Sequence, residues 1–381
     1  MSRTAGEVNQ KKMHSYYDYS LLFLIIFLVC FGLVMIFSTS SYNAQRLYGD
    51  PAYYLERQGA FAGAGIFVMI IVSKIDYHLY IKNLPIIRLK PIILLYMLCL
   101  SLQIYVLAFG AVTKGSKRWI ELGGLGSFQP SELTKILVIL FTAYIVSLAP
   151  KKLDKFTGFI KISMYIVPLI GLIVIENLST AIIITVMLVS ICFVASRKKA
   201  YYIITGALLA GIGSIFIFFV SYRSDRINAW LHVETADNGY QILQGLYAIA
   251  SGGVFGKGLG QSMQKLGFIP ESHNDMIFSV ICEELGLFGA IALMLLFVLM
   301  IWRIFIIAIN ATDLYGGLIA TGVLAHIAIQ VLINIAVVTN SIPSTGNTLP
   351  FISYGGSSLM VLLFEMGIVL SVSNQIKGEK D

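Results

Sequence analysis

Apolar residues are gathered into ten runs along the chain, separated by shorter polar segments. A helix needs roughly 20 apolar residues to cross a hydrocarbon core about 30 Å thick, and most runs come close to that length. The pattern predicts transmembrane helices at about 19–39, 59–74, 91–110, 133–149, 161–175, 180–196, 200–222, 277–302, 315–338 and 352–374. We therefore expect an all-α, polytopic membrane protein with about ten transmembrane helices.

The ten runs form one membrane domain, residues 19–374, between an N-terminal tail, 1–18, and a C-terminal tail, 375–381. An even number of spans puts both tails on one side, and that side then carries most of the Lys and Arg residues. The positive-inside rule makes this side cytoplasmic. The longest polar interruption, about 223–275, falls between the seventh and eighth helices and is predicted to be extracytoplasmic.

Composition supports a membrane location and excludes several other classes. The chain is 57% hydrophobic and 12% charged, whereas a soluble domain carries roughly a quarter charged residues. The net charge of +7 comes from basic residues scattered through short loops, so it indicates topology and no nucleic-acid partner. The four cysteines lie in or beside apolar runs, which favours neither a disulfide framework nor a zinc site. The polar N-terminus is unlike a signal peptide, so the first run should be retained as a helix.

Three polar clusters lie in segments predicted to be on the outer face, which suggests one composite site. The first contains Lys117, Arg118 and Trp119, followed by Glu132 and Lys135 at the start of the fourth span. Glu132 and Lys135 are three residues apart, so they can pair on one helix face. Ionisable residues at membrane depth are functional candidates. The alternative is an interfacial anchor, with the aromatic ring at headgroup depth.

The second cluster is the long loop before the eighth span. Its ionisable members include Arg223, Arg226, Lys265, Glu271 and Asp275, and a glycine-rich stretch covers 252–260. The glycines resemble a phosphate cradle, but no Walker lysine-serine pair or flanking βαβ unit accompanies them, so a nucleotide site is not predicted. Asp275 is placed to act as a general base or, alternatively, as a helix N-cap.

The third cluster, residues 340–358, contains Ser353, Tyr354 and Ser357 among prolines and glycines that break regular helix. Broken backbone at membrane depth is tolerated only where it is buried in protein or lines a cavity. A tight external turn is the alternative. Between these clusters, Glu283 and Glu284 are adjacent on the eighth span. Their directions differ by about 100°, so at least one should pair with a neighbouring helix.

The three clusters together resemble the SEDS family (FtsW/RodA/SpoVE) of bacterial cell-wall polymerases. The matching segments are Lys-Arg-Trp followed by Phe-Gln-Pro-Ser-Glu, Pro-Glu-x-x-x-Asp-x-Ile-Phe leading into Glu-Glu-x-Gly, and Thr-Gly-x-x-Leu-Pro-x-x-Ser-Tyr-Gly-Gly-Ser-Ser. They occur in family order over nearly the whole chain, and the first span is more similar to FtsW or SpoVE than to RodA. Two positions depart from the family pattern: Asn177 stands where many members have Asp, and Met276 where Phe is common.

The resemblance implies polymerisation of lipid II into β-1,4 glycan strands on the outer face of the cytoplasmic membrane, in cell division or spore and wall morphogenesis. It implies an inverting displacement with Asp275 as general base. Substrate-binding roles are expected for Lys117, Arg118, Glu132, Lys135, Arg223, Arg226, Lys265, Glu271, Ser353, Tyr354 and Ser357. The expected partners are a class B penicillin-binding protein and other divisome or elongasome membrane proteins. A divalent cation, Mg²⁺ or Mn²⁺, on the pyrophosphate is compatible with these residues, although no ligand spacing demands it.

Two other functions are compatible with the pattern. A lipid II flippase would also use intramembrane ionisable residues, but the two halves of the chain do not read as inverted copies. A non-catalytic scaffold of the division machinery would not need so many buried ionisable groups.

Overall fold

The computed structural model describes residues 14–83, 89–113, 116–121, 123, 127–219, 221–236 and 239–378. Within these ranges nine helices are long and apolar enough to cross a membrane. They are α1 (Tyr19–Tyr48), α2 (Tyr53–Lys74), α3 (Pro91–Phe109), α4 (Pro130–Leu148), α5 (Phe156–Glu176), α6 (Leu178–Ala195), α10 (Ile277–Asn310), α11 (Leu314–Val338) and α12 (Gly356–Asn374). Helix α7, Lys199–Phe219, coincides with the remaining predicted span. The prediction of an all-α, polytopic membrane protein is confirmed.

The long segment between α7 and α10 contains two further helices, α8 (Ser221–Leu231) and α9 (Tyr240–Gly252). The spans α1 and α10 extend furthest beyond their apolar runs: α1 continues to Tyr48 and α10 to Asn310. In α1 the extension includes Ser40, whose hydroxyl donates to the Ile36 carbonyl at 2.7 Å. A polar side chain bonded within its own helix in this way does not end the helix.

Short strands occur at two places. Strands β2 (Ala111–Thr113), β3 (Ser116–Glu121) and β4 (Ser127–Phe128) form an antiparallel sheet between α3 and α4. Strand β1 (His14–Ser15) pairs with β5 (Lys377–Gly378). The two ends of the described chain therefore lie at the same end of the bundle. Their cytoplasmic location, and the tails at 1–18 and 375–381, stay predictions, since residues 1–13 and 379–381 are outside the described part.

Asp and Asn side chains cap the N-termini of several helices. Asp18 accepts a hydrogen bond from the Leu21 amide at 2.8 Å at the start of α1, and its other oxygen pairs with Arg303 at 2.8 Å. Asn177 accepts from the Thr180 amide at 3.2 Å at the start of α6. Asn and Asp are equally good N-caps, so the departure from the family aspartate at this position preserves the helix start.

Helix α12 is the most enclosed of the nine spans, followed by α4. It packs against α2, α4, α10 and α11. Its contact with α2 is close because glycines lie in it: a Cβ on Gly65 would lie 2.5 Å from the Leu363 side chain, and one on Gly367 would lie 2.9 Å from the Met69 carbonyl oxygen. Helix association in a membrane depends on such small residues, which let backbones approach closely.

Helix α10 is interrupted at Gly286, whose φ of 67° and ψ of −169° are not helical. The break separates two carbonyl and two amide groups from their helical partners, and the glycine-rich loop that follows α9 bonds to all four. The bonds are Lys257 N–H to Glu283 O, Gly258 N–H to Glu284 O, Leu287 N–H to Gly253 O and Phe288 N–H to Val254 O, at 2.9 to 3.0 Å. Because these four groups are bonded to protein, the irregular backbone is compatible with a membrane protein.

The same loop neutralises the two adjacent glutamates, both of which are buried. Glu283 pairs with Lys257 at 2.7 Å and accepts from the Ser262 hydroxyl. Glu284 pairs with Lys265 at 2.8 Å and accepts from the Ser38 hydroxyl on α1 at 2.7 Å. The prediction that at least one of the two glutamates pairs with a neighbouring helix is confirmed. The loop therefore joins α1, α9 and α10 through backbone bonds, the buried Lys265–Glu284 pair and the pair between exposed Lys257 and buried Glu283.

We expect Gly256→Ala to destabilise the protein. Gly256 has a φ of 79°, and an added Cβ would lie 2.2 Å from the Glu284 carbonyl oxygen. The left-handed conformation alone costs roughly 1–2 kcal/mol for a non-glycine residue, and the clash would displace the loop from the break in α10. Thermal unfolding of the detergent-purified protein measures the loss. Gly260→Ala is the matched control, because Gly260 has a similar φ of 82° with no atom within 4 Å of the added Cβ. Equal melting temperatures for the two variants would contradict this account of the loop.

The predicted topology places the loop 253–268 outside the cell and the segment between α4 and α5 inside. Gln261 and Lys152 are exposed positions in these two segments. In a background without the native cysteines, we expect a membrane-impermeant maleimide to label Gln261→Cys and not Lys152→Cys in intact cells. Labelling of both after permeabilisation is the control. The reverse pattern in intact cells would invert the topology.

Candidate functional site

Asp275 lies two residues before α10, where α9, α10, α11 and the segment 339–355 meet. Its carboxylate is half-buried, and its Oδ1 accepts a hydrogen bond from the Gln241 side chain of α9 at 3.3 Å. Its Oδ2 faces Gly346, and a Cβ added to this glycine would lie 3.9 Å from that oxygen. The main chain before it turns sharply at Glu271, a non-glycine residue with a φ of 50°. Conformations of this kind are often found at functional sites.

Asn334, in the last turns of α11, anchors Asp275 to the third polar cluster. Its side-chain amide donates to the carbonyl oxygens of Asp275, at 2.9 Å, and of Asn347, at 2.8 Å. Several buried polar atoms around this junction have no hydrogen-bond partner among the described residues. They are His273 Nδ1, Asn334 Oδ1, Thr345 Oγ1 and Asn347 Nδ2. Buried polar atoms are nearly always satisfied in proteins, so four such atoms beside a carboxylate indicate a site built for a polar ligand.

His273 is buried against aromatic rings of other segments. Its ring centroid lies 4.4 Å from that of Tyr54 on α2 and 5.5 Å from that of Tyr354. The Tyr354 amide donates to the His273 carbonyl at 2.9 Å. Burial lowers the pKa of His273 to about 4 despite the opposing charge of Glu271. The imidazole is therefore neutral near pH 7.

Helix α8 holds the segment 339–355 from the other side. Arg226 donates to the Ser344 carbonyl at 3.1 Å, and the Trp230 indole donates to the Asn340 carbonyl at 2.9 Å. The two side chains are four residues apart and so share one helix face. Arg223 lies on the same helix, and its side chain is outside the described part of the chain.

Glu132 and Lys135 are buried and form the predicted ion pair, with Nζ and Oε1 3.0 Å apart. The Ser358 hydroxyl donates to the second Glu132 oxygen at 2.8 Å, and Lys135 donates to the Gln330 side chain at 3.3 Å. Gln330 in turn donates to the Thr348 carbonyl at 3.1 Å. The pair is thus joined, through Gln330 and the Thr348 carbonyl, to the segment that carries Asn347.

His326 extends this network further into the bundle. Its Nε2 lies 2.8 Å from the Gln330 oxygen and its Nδ1 lies 2.9 Å from Glu365 of α12. His326, Gln330 and Asn334 are four residues apart along α11 and therefore form one polar stripe. Sequence reasoning missed this stripe, although three polar residues at helical spacing in an apolar span are a recognisable signal.

Lys117 and Arg118 attach the small sheet to the ends of neighbouring helices. The Lys117 ammonium donates to the Ala108 carbonyl at 3.2 Å at the end of α3. Arg118 Nε donates to the Glu176 carbonyl at 2.7 Å at the end of α5. Cations are favourable at helix C-termini because of the helix dipole. Both side chains line a small cavity with Gln129 and Ser131.

The remaining predicted site residues lie in different settings. Lys265 is buried in its ion pair with Glu284, away from solvent. Ser353 accepts from the Leu349 amide at 2.8 Å and so shapes the broken segment. Tyr354 contacts His273, and Ser357 is half-buried in the first turn of α12. Glu271 is exposed and accepts from the Asn274 side chain at 3.0 Å.

Gln58, on α2, was also missed by sequence reasoning. It is buried, accepts from the Gly355 amide at 3.1 Å and donates to the Ser353 carbonyl at 3.4 Å. Nothing in the sequence distinguishes it from any polar residue near the start of a span. Among the described residues, no group of three or more His, Cys, Asp or Glu side chains is arranged to hold a metal ion.

Residues 19–378 match the model of the cell cycle protein family FtsW/RodA/SpoVE. A probable peptidoglycan glycosyltransferase FtsW of Geobacter sulfurreducens is 37% identical over 366 residues, which cover 95% of this chain and 96% of the relative. Stage V sporulation protein E of Bacillus subtilis is 37% identical over 363 residues, 93% of this chain and 96% of the relative. The chain belongs to the FtsW/RodA/SpoVE family.

Solved structures agree with this assignment. A chain from a study of how a peptidoglycan synthase complex coordinates polymerization and crosslinking has a TM-score of 0.75 at 25% identity, covering 94% of this chain and 97% of that one. The rod shape determining protein RodA of Thermus thermophilus has a TM-score of 0.66 at 25% identity, covering 94% and 97%. The predicted class, a multi-pass peptidoglycan glycosyltransferase of the cytoplasmic membrane, is confirmed. These relatives favour neither the flippase nor the scaffold alternative.

Replacing Asn334 should slow the reaction more than it weakens substrate binding. Asn334→Ala removes both bonds that hold the Asp275 main chain to the segment 339–355, and a displacement of about 1 Å at a reacting group can cost on the order of 100-fold. We expect kcat for glycan polymerisation to fall about 10- to 100-fold with a small change in KM. Asn310→Ala is the control, because Asn310 is exposed at the far end of α10 and, among the described residues, its side chain bonds within its own helix, to the Ile306 carbonyl. A normal kcat for Asn334→Ala would show that Asp275 does not depend on this anchor.

Proposed function

We propose that this chain polymerises lipid II into β-1,4-linked glycan strands on the outer face of the cytoplasmic membrane, with Asp275 as the general base. The observation that carries the proposal is the junction at Asp275. There a half-buried carboxylate lies at the same junction as buried polar atoms that lack partners among the described residues. Such atoms would be satisfied by the hydroxyl, amide and ether groups of a sugar. The proposal rests on family membership for the reaction and on this geometry for the base.

The reaction needs one displacement. The hydroxyl of the acceptor sugar forms a bond to the anomeric carbon of the donor, the bond from that carbon to the pyrophosphate breaks, and the electron pair leaves with the pyrophosphate. The hydroxyl proton passes to Asp275. Attack opposite the leaving group converts an α-linked donor into a β-linked product, so no covalent enzyme intermediate is required. Pyrophosphate leaves without being protonated, so a second carboxylate, of the kind a glycosidase uses, is unnecessary.

Residues around Asp275 support this role by fixing the carboxylate. Asn334 holds its main chain, Gln241 bonds to Oδ1, and Gly346 leaves the space beside Oδ2 without a side chain. A base held in place before the substrate arrives needs little reorganisation in the transition state. His273 is neutral near pH 7, so it places no positive charge beside the carboxylate, where such a charge would oppose the uptake of a proton.

The basic residues predicted to hold the pyrophosphate differ in their surroundings. Arg226, on α8, donates to the Ser344 carbonyl near the junction, and together with Arg223 it is the more favourable candidate. Lys117, Arg118 and Lys265 already bond to helix ends or to a buried carboxylate, which argues for structural roles. The Glu132–Lys135 pair is best explained as support for α12 and the segment that precedes it.

A membrane-bound transpeptidase is the proposed partner. The structural relative from the peptidoglycan synthase complex belongs to an assembly that couples polymerization to crosslinking. The candidate residues identified in the described part of the chain serve polymerisation, and crosslinking would be supplied by a class B penicillin-binding protein. Other membrane proteins of the division or elongation machinery would join the same complex.

Asp275→Asn is the sharpest test of the proposed base. The substitution keeps the size of the side chain, but an amide cannot accept the proton. A positioned base contributes typically 10²–10⁴-fold, so we expect at least a 100-fold loss of glycan polymerisation from purified lipid II, without any class A synthase. The variant should keep its melting temperature and its ability to co-purify with the transpeptidase.

Glu271→Gln is the matched control, because Glu271 is an exposed carboxylate in the same turn. Near-normal polymerisation by Asp275→Asn, together with a large loss for Glu271→Gln, would transfer the role of base to Glu271. A wild-type protein that fails to polymerise lipid II with its partner present would contradict the proposed function itself.

A further inference from the structure

Arg57, in the first turns of α2, is held by two tyrosines at the end of the bundle where Asp275 lies. Its guanidinium carbon is 4.7 Å from the centroid of the Tyr53 ring. The Tyr53 ring also stacks on Tyr48, with centroids 3.9 Å apart and an interplanar angle of 12°. Arg57 is exposed, so this stacking orients a charge that water can reach. A guanidinium stacked on an aromatic face keeps its planar fork available for hydrogen bonding.

The stack is continuous with the Asp275 junction. Tyr54 lies three residues before Arg57 and therefore shares a face of α2 with it. Its ring is 4.4 Å from His273 and 5.0 Å from Tyr354. Burial raises the pKa of Tyr354, and the nearby positive charge of Arg57 opposes this. His273, two residues before Asp275, is buried and its Nδ1 has no partner among the described residues.

Arg57 differs from the other cations near this site. Lys135, Lys257 and Lys265 are paired with glutamates. Arg118 and Arg226 donate to backbone carbonyls. Among the described residues, no carboxylate lies within ion-pair distance of Arg57. A preoriented and unneutralised arginine beside buried, unpartnered polar atoms is suited to a bidentate anion such as a phosphate.

We propose that Arg57, oriented by Tyr48 and Tyr53, binds the pyrophosphate of a lipid-linked sugar and so places that sugar next to Asp275. The inference rests on the proposed function and adds a substrate contact to it. Tyrosines at the turn between α1 and α2 mark the membrane interface, where such side chains concentrate. The pyrophosphate of a lipid carrier lies at the same depth, because it joins the hydrocarbon chain to the sugar. A phospholipid headgroup would offer similar chemistry, and the test separates the two.

Binding should be measured without turnover, in the Asp275→Asn background. The protein is placed in nanodiscs of zwitterionic phospholipid and titrated with fluorescently labelled lipid II. We expect Arg57→Ala to weaken binding about 10- to 100-fold, the usual effect of losing a hydrogen bond to a charged group. Arg57→Lys should recover part of the affinity, since it keeps the charge without the fork. Tyr53→Leu should weaken binding and Tyr53→Phe should restore it, because only the ring face is needed.

Arg46→Ala is the matched control, because Arg46 is exposed near the end of α1 and lies outside the aromatic stack. Like Arg57, it has no carboxylate within ion-pair distance among the described residues. It should bind lipid II like the parent protein. In active protein, Arg57→Ala should raise KM for lipid II. Melting temperatures verify that each variant is folded. If Arg57→Ala does not fold, Arg57→Lys serves as the test.

Two results would overturn the inference. The first is unchanged lipid II binding by folded Arg57→Ala and Arg57→Lys. The second is a defect that appears only when phosphatidylglycerol replaces the zwitterionic lipid, which would make Arg57 a headgroup anchor. Either result leaves the proposed function intact as long as the wild-type protein polymerises lipid II and Asp275→Asn does not. Failure of the wild-type protein to bind or polymerise lipid II would instead contradict both.

Discussion

Polar groups inside a membrane protein have no water to bond to, so each one must find a partner within the protein. The break in α10 at Gly286 shows how the fold meets this constraint. The loop that follows α9 bonds to all four backbone groups released by the break and places Lys257 and Lys265 on Glu283 and Glu284. Removing one partner of a buried ion pair leaves an uncompensated charge, so the loop, α1 and the first part of α10 are held in one arrangement.

The same constraint shapes the surroundings of Asp275. The segment 339–355 is irregular, and its carbonyl groups are bonded by Gln330 and Asn334 from α11 and by Arg226 from α8. The polar stripe on α11 thus serves a backbone that cannot form regular helix. Where this bonding is incomplete, at His273, Asn334 and Asn347, the unsatisfied atoms gather beside the carboxylate. A ligand at this place would complete a network that the protein alone leaves open.

Burial also separates the cations into two groups. Lysines and arginines at helix ends or beside buried glutamates stabilise the bundle, and their charge is already compensated. Arg57 is exposed and stacked on aromatic rings, so its charge is available to a ligand from solution or from the membrane surface. This distinction depends on partners that lie far apart in the sequence, and residue type or motif membership does not reveal it.

The length and order of the apolar runs determined the class of protein, because a hydrocarbon core accepts only continuous helices of about this length. The motifs around Glu132, Asp275 and Tyr354 were sufficient for the family. The sequence by itself could not decide that Lys265 is neutralised by Glu284 while Arg57 lacks a carboxylate partner among the described residues, or that Asn334 anchors Asp275. Those outcomes depend on which helices pack together and how the broken segments fold between them. Only the tertiary structure brings α2, α10 and α11 to one place, and their contacts decide which polar groups are satisfied.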